Sequence, residues 1–212
     1  MLAGKPLIKH TIEFCNNCDI FNEAFISTDC PDIAGLAEGN VYAPFLRPSE
    51  LASDHSIDMD WLSHFICWLQ TYKNIYSHVM ILRPTSPIRP QQIIRKAARL
   101  ALQRDMSLRS VTKVPRKMSP DWLIFRNLEE TGTEFIKNGF QKRSQDLKEY
   151  YYPNGIFDIV RIHDFLDTGR MYGFSFLIYE LPGFLTNDID SIEDLKYFEE
   201  HWDEIFRSAA KL

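Results

Sequence analysis

The acidic pair in "LTNDID" is the part of the sequence best suited to chemistry. Asp188 and Asp190 lie two residues apart, on either side of Ile189. In an extended chain this spacing directs both carboxylates to one side and the isoleucine to the other. Two converging carboxylates suit Mg²⁺, which takes few protein oxygens and completes its shell with phosphate and water. A second interpretation stays open, because Asp190 and Glu193 also have the spacing of a capping box for a following helix.

Polar residues follow two further predicted strands. The segment "FISTD" ends in Asp29, and "MILRPTSPIR" continues from a buried strand into Arg83, Thr85 and Ser86. In open α/β sheets, ligands bind beyond the carboxyl ends of the strands. These residues are therefore expected to lie near a ligand.

The segment "LRPSELASDHSID" is rich in groups that bind phosphate, ribose or a base. Arg47 follows a predicted strand, and Ser56 and Asp58 precede a long predicted helix. The alternative is a polar loop in which Asp58 caps that helix. The composition of the segment leaves both interpretations open.

Two later segments are equally open. In "QKRSQ", Arg143 and Gln145 could bind a carboxylate or belong to a solvated patch. In "YYYPNG", Asn154 and Gly155 could line a site or form a plain turn before a strand. Spacing alone does not decide between these possibilities.

Strands and helices alternate along most of the chain. Helical spacing of apolar residues occurs in "PLIKHTIEFCNN", after Asp58, in "QQIIRKAARLALQR" and in "DSIEDLKYFEEHWDEIF". Strands are predicted at "EAFIS", "NVYAPF", "HVMIL", "SLRSVTKV", "NGIFDIVRI" and "FSFLIYEL". This order predicts one α/β domain over residues 1–212, built on a mostly parallel sheet. The stretch 115–152 breaks the rhythm and is expected to form an arm or hairpin.

Composition narrows the classes of function. The 212 residues carry a net charge of −5, which argues against a general grip on nucleic acid. No apolar run approaches the ~20 residues of a membrane span, and no signal peptide opens the sequence. The four cysteines are therefore expected to be reduced thiols of a cytoplasmic protein. The pair in "FCNNCD" is interpreted as helix packing, because no second metal-ligand pair follows it.

Taken in order, six segments resemble the acylneuraminate cytidylyltransferase family, the synthetases of CMP-sialic acid and of its legionaminic and pseudaminic relatives. The segments are "LAGKPLIKHTIE", "FISTD", "LRPSELASD", "LRPTSPIR", "YYPNGIFDI" and "NDIDSIEDL". The resemblance implies a Rossmann-like nucleotidyltransferase fold and an enzyme that joins CTP to a nonulosonic sugar acid, releasing pyrophosphate. It further implies Mg²⁺ as cofactor and a homodimer in which 115–152 is the dimerisation arm.

The resemblance also implies roles for individual residues. Asp188 and Asp190 match the family's catalytic, Mg²⁺-binding aspartates. The nucleotide-binding residues would be Asp29, Arg47, Ser56 and Asp58. The sugar-binding residues would be Arg83, Thr85, Ser86, Arg143, Gln145, Asn154 and Gly155, with Arg143 supplied across the dimer.

The sequence departs from the family pattern at two places that bear on the sugar. Arg83 stands where many members have Gln, a change associated with relatives that act on bacterial nonulosonic acids other than plain sialic acid. Asp158 stands where sialate enzymes often have Tyr. These departures leave the identity of the sugar acid open.

The family pattern also implies a strand and a loop of the form I-P-A-R-G-G-S-K-G-I-P-x-K-N before "LAGKPLI". That loop wraps the triphosphate with backbone N–H groups and basic side chains. Because the printed sequence starts after this motif, one expectation is that Met1 is an internal methionine. The alternatives are a non-catalytic sugar-acid or nucleotide-binding relative, and a nucleotidyltransferase for another sugar. Reading the gene in frame upstream of Met1 separates the first two expectations.

Overall fold

The computed structural model describes residues 1–53, 55–72, 75–127, 131–185 and 188–209. The helices are α1 (Leu7–Asn17), α2 (Pro31–Ala34), α3 (Asp58–Thr71), α4 (Gln91–Arg104), α5 (Ile162–Thr168) and α6 (Ile192–Ala209). The strands are β1 (Ala24–Phe25), β2 (Val41–Tyr42), β3 (His78–Ile81), β4 (Leu108–Lys113), β5 (Ile124–Arg126), β6 (Gly132–Glu134), β7 (Tyr151–Arg161) and β8 (Leu177–Glu180). The predicted helices and strands all occur, whereas the short helix α5 was not predicted.

A four-stranded sheet in the order β3-β7-β4-β8 forms the centre of the fold. The pair β4–β8 is parallel, and β7 runs antiparallel to both β3 and β4. Three of the four strands therefore share one direction, and the expected α/β class is confirmed. The antiparallel insertion of β7 was not foreseen, since an apolar run does not reveal strand direction.

A second, two-stranded sheet is made by β1 and β2, which pair in parallel. A bridge between Thr28 and Leu46 continues the pairing beyond the two strands. The residues that follow, Asp29 and Arg47, therefore leave the sheet side by side. This places the ends of "FISTD" and "YAPFLR" at one edge.

Helices cover both faces of the main sheet. Because alternate residues of a strand point to opposite faces, Phe157 and Ile159 of β7 pack in a core cluster with α4 and α6. Val160 packs in a second cluster with α3 and α5. Asp158 alternates in the same way as Val160 and belongs to the α3 side of the sheet.

The stretch 115–152 contains the antiparallel hairpin β5–β6 and several single 3₁₀ turns. Two contacts fasten it together. Lys142 forms an ion pair with Asp121, a carboxylate with no exposed surface. Gly139 packs so closely on the Asp121 backbone that a Cβ there would lie 1.8 Å from the carbonyl oxygen. Only glycine fits at that position.

Candidate active site

Asp188 is held by contacts from two distant segments. Its Oδ1 accepts a hydrogen bond from Ser86 Oγ at 3.1 Å, and also from the backbone N–H of Ile189. Gly155, with φ +74°, faces Asp188 so closely that a Cβ would lie 3.3 Å from Oδ2. Three residues singled out in the sequence, Ser86, Gly155 and Asp188, are therefore neighbours.

The capping box of α6 lies one residue beyond the position expected from the sequence. The Asp194 carboxylate accepts from the Ser191 backbone N–H at 2.8 Å, and Ser191 Oγ accepts from the Asp194 N–H at 3.1 Å. These reciprocal bonds are those of a capping box. The prediction that Asp190 and Glu193 form the box is therefore wrong. The exposed Asp190 side chain is left out of the cap.

The turn after β3 ties this acidic segment to the sheet. The Ser86 N–H donates to the Arg83 carbonyl at 3.0 Å, and the Ile189 N–H donates to the Thr85 carbonyl at 3.0 Å. Thr85 thus holds the backbone of the acidic segment while Ser86 holds its carboxylate. Arg83 begins the turn, and its side chain is hydrogen-bonded to Asp58 and Asp158.

The buried Arg89 side chain also stabilises the turn after β3. It is 6% exposed and donates to the Ile156 carbonyl at 3.3 Å, to Thr11 Oγ1 at 3.0 Å and to the Arg83 carbonyl. Burial lowers the pKa of this guanidinium to about 10, so the group still carries its charge at neutral pH. Arg89 therefore joins α1, β7 and the turn after β3.

A cleft of about 680 Å³ runs between β1 and β3. Most of its wall is apolar and is supplied by α1, α3 and the two strands. One end is polar and is lined by Ser27, Arg47, Asp58, Arg83 and Thr85. Among the described residues, Ser27 Oγ and Arg47 Nε are buried there without a hydrogen-bond partner. Such atoms are rare in folded proteins and are often satisfied by water or a ligand.

The Arg47 guanidinium lies at the junction of the two strand ends. Its Nη2 is 4.0 Å from Asp29 Oδ1, at the limit of an ion pair, and its backbone N–H donates to the Thr28 carbonyl. Ser56, in the loop before α3, donates to the Glu50 carbonyl at 3.1 Å. Arg47 lines the cleft, whereas Ser56 stabilises the neighbouring loop.

Asp58 is the first residue of α3 and not its cap. The N-cap position is Ile57, whose N–H donates to the Asp60 carboxylate at 3.1 Å. The Asp58 carboxylate instead accepts from Arg83 Nη2 at 2.5 Å and from Trp61 Nε1 at 3.1 Å. Burial acts to raise the pKa of Asp58, but Arg83 and Trp61 outweigh it and hold that pKa below its ordinary value.

The remaining predicted residues lie elsewhere. Arg143 is largely exposed on the 115–152 stretch, where it pairs with Asp146 at 2.8 Å, and Gln145 is exposed beside it. Asn154 is buried within the sheet, and its amide bonds to Ser110 and Thr112 of β4. The structure therefore gives the Asn154 side chain a place in the sheet and not in the wall of the cleft.

Sequence reasoning missed Arg109, whose Nε lies 3.3 Å from Asp158 Oδ1. A signal was available, because Arg109 and Asp158 are opposite charges that each interrupt an apolar strand. The two residues are directly paired between β4 and β7. Without strand order, however, the sequence could not match them.

Within the described ranges, no group of three or more His, Cys, Asp or Glu side chains could hold a metal ion. Asp188 and Asp190 together offer oxygen ligands only, which suits Mg²⁺ and not a softer metal. The close approach of Gly155 leaves room for the Asp188 carboxylate that a larger residue would fill. None of the helices in the described part of the chain has the length and apolar character of a bilayer span.

Sequence comparison finds cytidylyltransferases of sugar acids among the relatives, and no protein-family model matches the chain. A pseudaminic acid cytidylyltransferase of Campylobacter jejuni is 29% identical over 196 residues, covering 92% of this chain and 84% of the relative. A CMP-N,N'-diacetyllegionaminic acid synthase of Legionella pneumophila is 31% identical over 160 residues, covering 75% and 66%. An N-acylneuraminate cytidylyltransferase of Escherichia coli is 28% identical over 92% of this chain, which spans 46% of that protein's length.

Two solved structures share the fold. A CMP:2-keto-3-deoxy-manno-octonic acid synthetase complexed with CTP superposes with a TM-score of 0.65 at 13% identity, covering 96% of this chain and 90% of that one. A 4-diphosphocytidyl-2C-methyl-D-erythritol synthase of Anaerococcus prevotii gives a TM-score of 0.63 at 10% identity, covering 96% and 88%. At these identities the likeness establishes the Rossmann-like nucleotidyltransferase fold.

Proposed function

Because the chain belongs to the acylneuraminate cytidylyltransferase family, we propose that it transfers CMP from CTP to a nonulosonic acid and releases pyrophosphate. The observation that carries the proposal is the contact of Asp188 with Ser86 and Gly155. That contact brings together a carboxylate and two segments that the sequence had already related to the sugar. It lies next to a turn whose first residue, Arg83, lines the polar end of the cleft.

The proposed reaction is an in-line displacement at the α-phosphorus of CTP. The anomeric hydroxyl oxygen of the sugar acid forms the new P–O bond, the bond between the α-phosphorus and the bridging oxygen breaks, and pyrophosphate leaves with that oxygen. The hydroxyl proton passes to solvent or to pyrophosphate. Catalysis of this kind rests on positioning and on neutralising charge. The protein's part is to fix the two substrates in line.

For the cofactor, we propose Mg²⁺ held by Asp188 and Asp190. When bound, the ion neutralises phosphate charge and orients the reacting oxygens. Ser86 keeps one oxygen of Asp188 in a fixed direction, and the Ser191–Asp194 box leaves Asp190 free of capping. Two carboxylates suffice, since Mg²⁺ takes its other ligands from phosphate and water.

For the substrates, we propose that nucleotide and sugar meet at the polar end of the cleft. Arg47 and Asp29 lie at one wall, where the unpartnered Nε of Arg47 offers a donor to the nucleotide. Ser56 borders the same wall through its loop. Asp58, in the first turn of α3, lies between this wall and Arg83, to which it is hydrogen-bonded. Arg83, Thr85, Ser86 and Gly155 form the sugar side. Since nucleoside triphosphates are supplied in the cytoplasm, we propose that location for the enzyme.

We also propose that a single domain with the 115–152 arm forms a homodimer through that arm. Five large apolar side chains in the described part of the arm are more than half exposed, namely Met118, Ile124, Phe125, Phe135 and Phe140. Burial of such side chains is what a stable dimer supplies. Arg143 and Gln145 lie on the same arm and would reach a partner's sugar site. Phe125→Glu is expected to give a monomer in sedimentation equilibrium, and an unchanged dimer would contradict this proposal.

The test is a pyrophosphate-release assay on the protein expressed from its complete reading frame. Release should require CTP, Mg²⁺ and a nonulosonic acid together, and ATP, GTP and UTP should not replace CTP. Asp190→Ala should abolish release, while Asp203→Ala, an exposed acid on α6, should leave it unchanged. Absence of release with pseudaminic, legionaminic and N-acetylneuraminic acid would reject the proposal.

A further inference from the structure

Four side chains of alternating charge run from the centre of the main sheet to the cleft. Arg109 Nε lies 3.3 Å from Asp158 Oδ1, and Arg83 Nη1 donates to Asp158 Oδ2 at 2.9 Å. The other end of Arg83 donates to Asp58 at 2.5 Å. Arg109 is further fixed from behind, because its guanidinium lies over the Tyr172 ring at 4.9 Å. The order of charges is plus, minus, plus, minus.

Of the four charged side chains, Asp158 is the one that solvent does not reach, with 2% of its side chain exposed. A carboxylate buried in a sheet destabilises the fold strongly unless it is paired. The pairing follows from strand register, since Asp158 stands opposite Arg109 on β4 and opposite Ile81 on β3. Arg83 follows Ile81 by two residues and reaches Asp158 from the other side. The Asp158 carboxylate is thus shared between the guanidinium groups of Arg83 and Arg109.

Of these four charged side chains, only two face the cleft. Arg83 and Asp58 line its polar end, whereas Asp158 and Arg109 lie behind them. The four formal charges sum to zero, so Arg83 carries no uncompensated charge. An incoming carboxylate would approach a guanidinium already flanked by two carboxylates. A hydroxyl or amide, in contrast, can accept from Arg83 and donate to Asp58.

We propose that Asp158 is a positioning residue that fixes Arg83, and that Arg83 and Asp58 together bind neutral polar substituents of the sugar acid rather than its carboxylate. The inference rests on the proposed function for the identity of the ligand. It joins the two departures from the family pattern, at 83 and 158, in one ion pair. The two residues therefore act as a unit.

The test measures binding of the sugar acid by calorimetry for Asp158→Asn, Arg83→Gln and the double variant. Each single change should weaken binding about tenfold, the double change should weaken it no further, and the KM for CTP should stay unchanged. The matched control is Asp105→Asn, which removes a similar ion pair, to Arg161 at 2.6 Å, away from the cleft. That control should leave the affinity unchanged. Additive losses at 83 and 158 would overturn the coupling.

Two analogues of the sugar acid show whether Arg83 binds the neutral substituents or the carboxylate. The loss in Arg83→Gln should be the same for the sugar acid and for its methyl ester, and should shrink for an analogue without the N-acyl groups. A loss that disappears with the methyl ester would show that Arg83 binds the carboxylate, and would overturn the inference. Should Asp158→Asn not fold, Arg83→Gln still decides, because Asp158 keeps Arg109 as partner.

The proposed function can fail separately. If the wild-type protein binds no nonulosonic acid, the ligand half of the inference falls with the proposed function. The claim that Asp158 positions Arg83 is then tested by urea unfolding of the wild type, the two single variants and the double variant. Non-additive stabilities at 83 and 158 would retain it, and additive ones would reject it.

Discussion

Ser86 and Asp188 are 102 residues apart in sequence and are joined by a hydrogen bond of 3.1 Å. The bond links the turn after β3 to the segment before α6. Its donor is buried, whereas its acceptor is only half-buried and has a second oxygen facing Gly155. One oxygen of the carboxylate is therefore fixed by the protein, and the other faces Gly155.

Ser86→Ala is predicted to lower the apparent affinity for Mg²⁺ as well as the stability of the fold. Hydrogen bonds to metal-ligating carboxylates are worth ~10–100-fold in metal affinity, and a hydrogen bond to a charged group stabilises a fold by about 1.5–3 kcal/mol. The Mg²⁺ concentration for half-maximal pyrophosphate release should rise at least about tenfold. Ser49→Ala, at an exposed serine, is the control. An unchanged magnesium curve would separate Ser86 from the metal.

Gly139→Ala is predicted to destabilise the 115–152 arm. The new Cβ would lie 1.8 Å from the Asp121 carbonyl oxygen, and the backbone cannot yield without disturbing the Asp121–Lys142 pair. Overpacking of this kind costs about 1–3 kcal/mol, which thermal unfolding would report as a lower Tm. Gly183→Ala is the matched control, because a Cβ there meets no heavy atom of the described residues within 4 Å. Equal Tm values for the two variants would refute the account of the arm.

Asp58→Asn is predicted to cost stability at neutral pH but not in acid. The pKa of Asp58 in the folded protein lies below its ordinary value of 3.8. Its contribution is therefore present above 3.8 and is lost as the pH falls through the lowered pKa. In urea titrations between about pH 6 and pH 2, the gap between wild type and variant should narrow toward the acid end. A gap that widens in acid would show that Arg83 does not stabilise the ionised carboxylate.

Much of the fold could be predicted from local patterns. The helical spacing after Asp58 and the apolar run before Arg83 each gave the correct element, because a buried face imposes its period on the sequence. The direction of β7 could not be predicted in this way, and neither could α5, whose seven residues are too few for a clear period. Strand order depends on contacts between distant segments.

The candidate site could likewise be predicted in its residues but not in its contacts. That Asp188, Ser86 and Gly155 carry chemistry could be proposed from residue type and position, but that they touch could not. The capping box shows the limit most clearly, since Ser191–Asp194 and Asp190–Glu193 have the same spacing and backbone geometry chose between them. The pairing of Arg109 with Asp158 required the register of β4 and β7.

The proposed reaction is group transfer and not hydrolysis, and ³¹P NMR of the reaction mixture distinguishes the two. CTP and a nonulosonic acid should give a phosphodiester resonance of a CMP-sugar and the resonance of pyrophosphate in equal amounts. Asp188→Asn should remove both signals together. Formation of CMP with pyrophosphate, or no consumption of CTP with any nonulosonic acid, would show that the protein does not transfer CMP to a sugar acid.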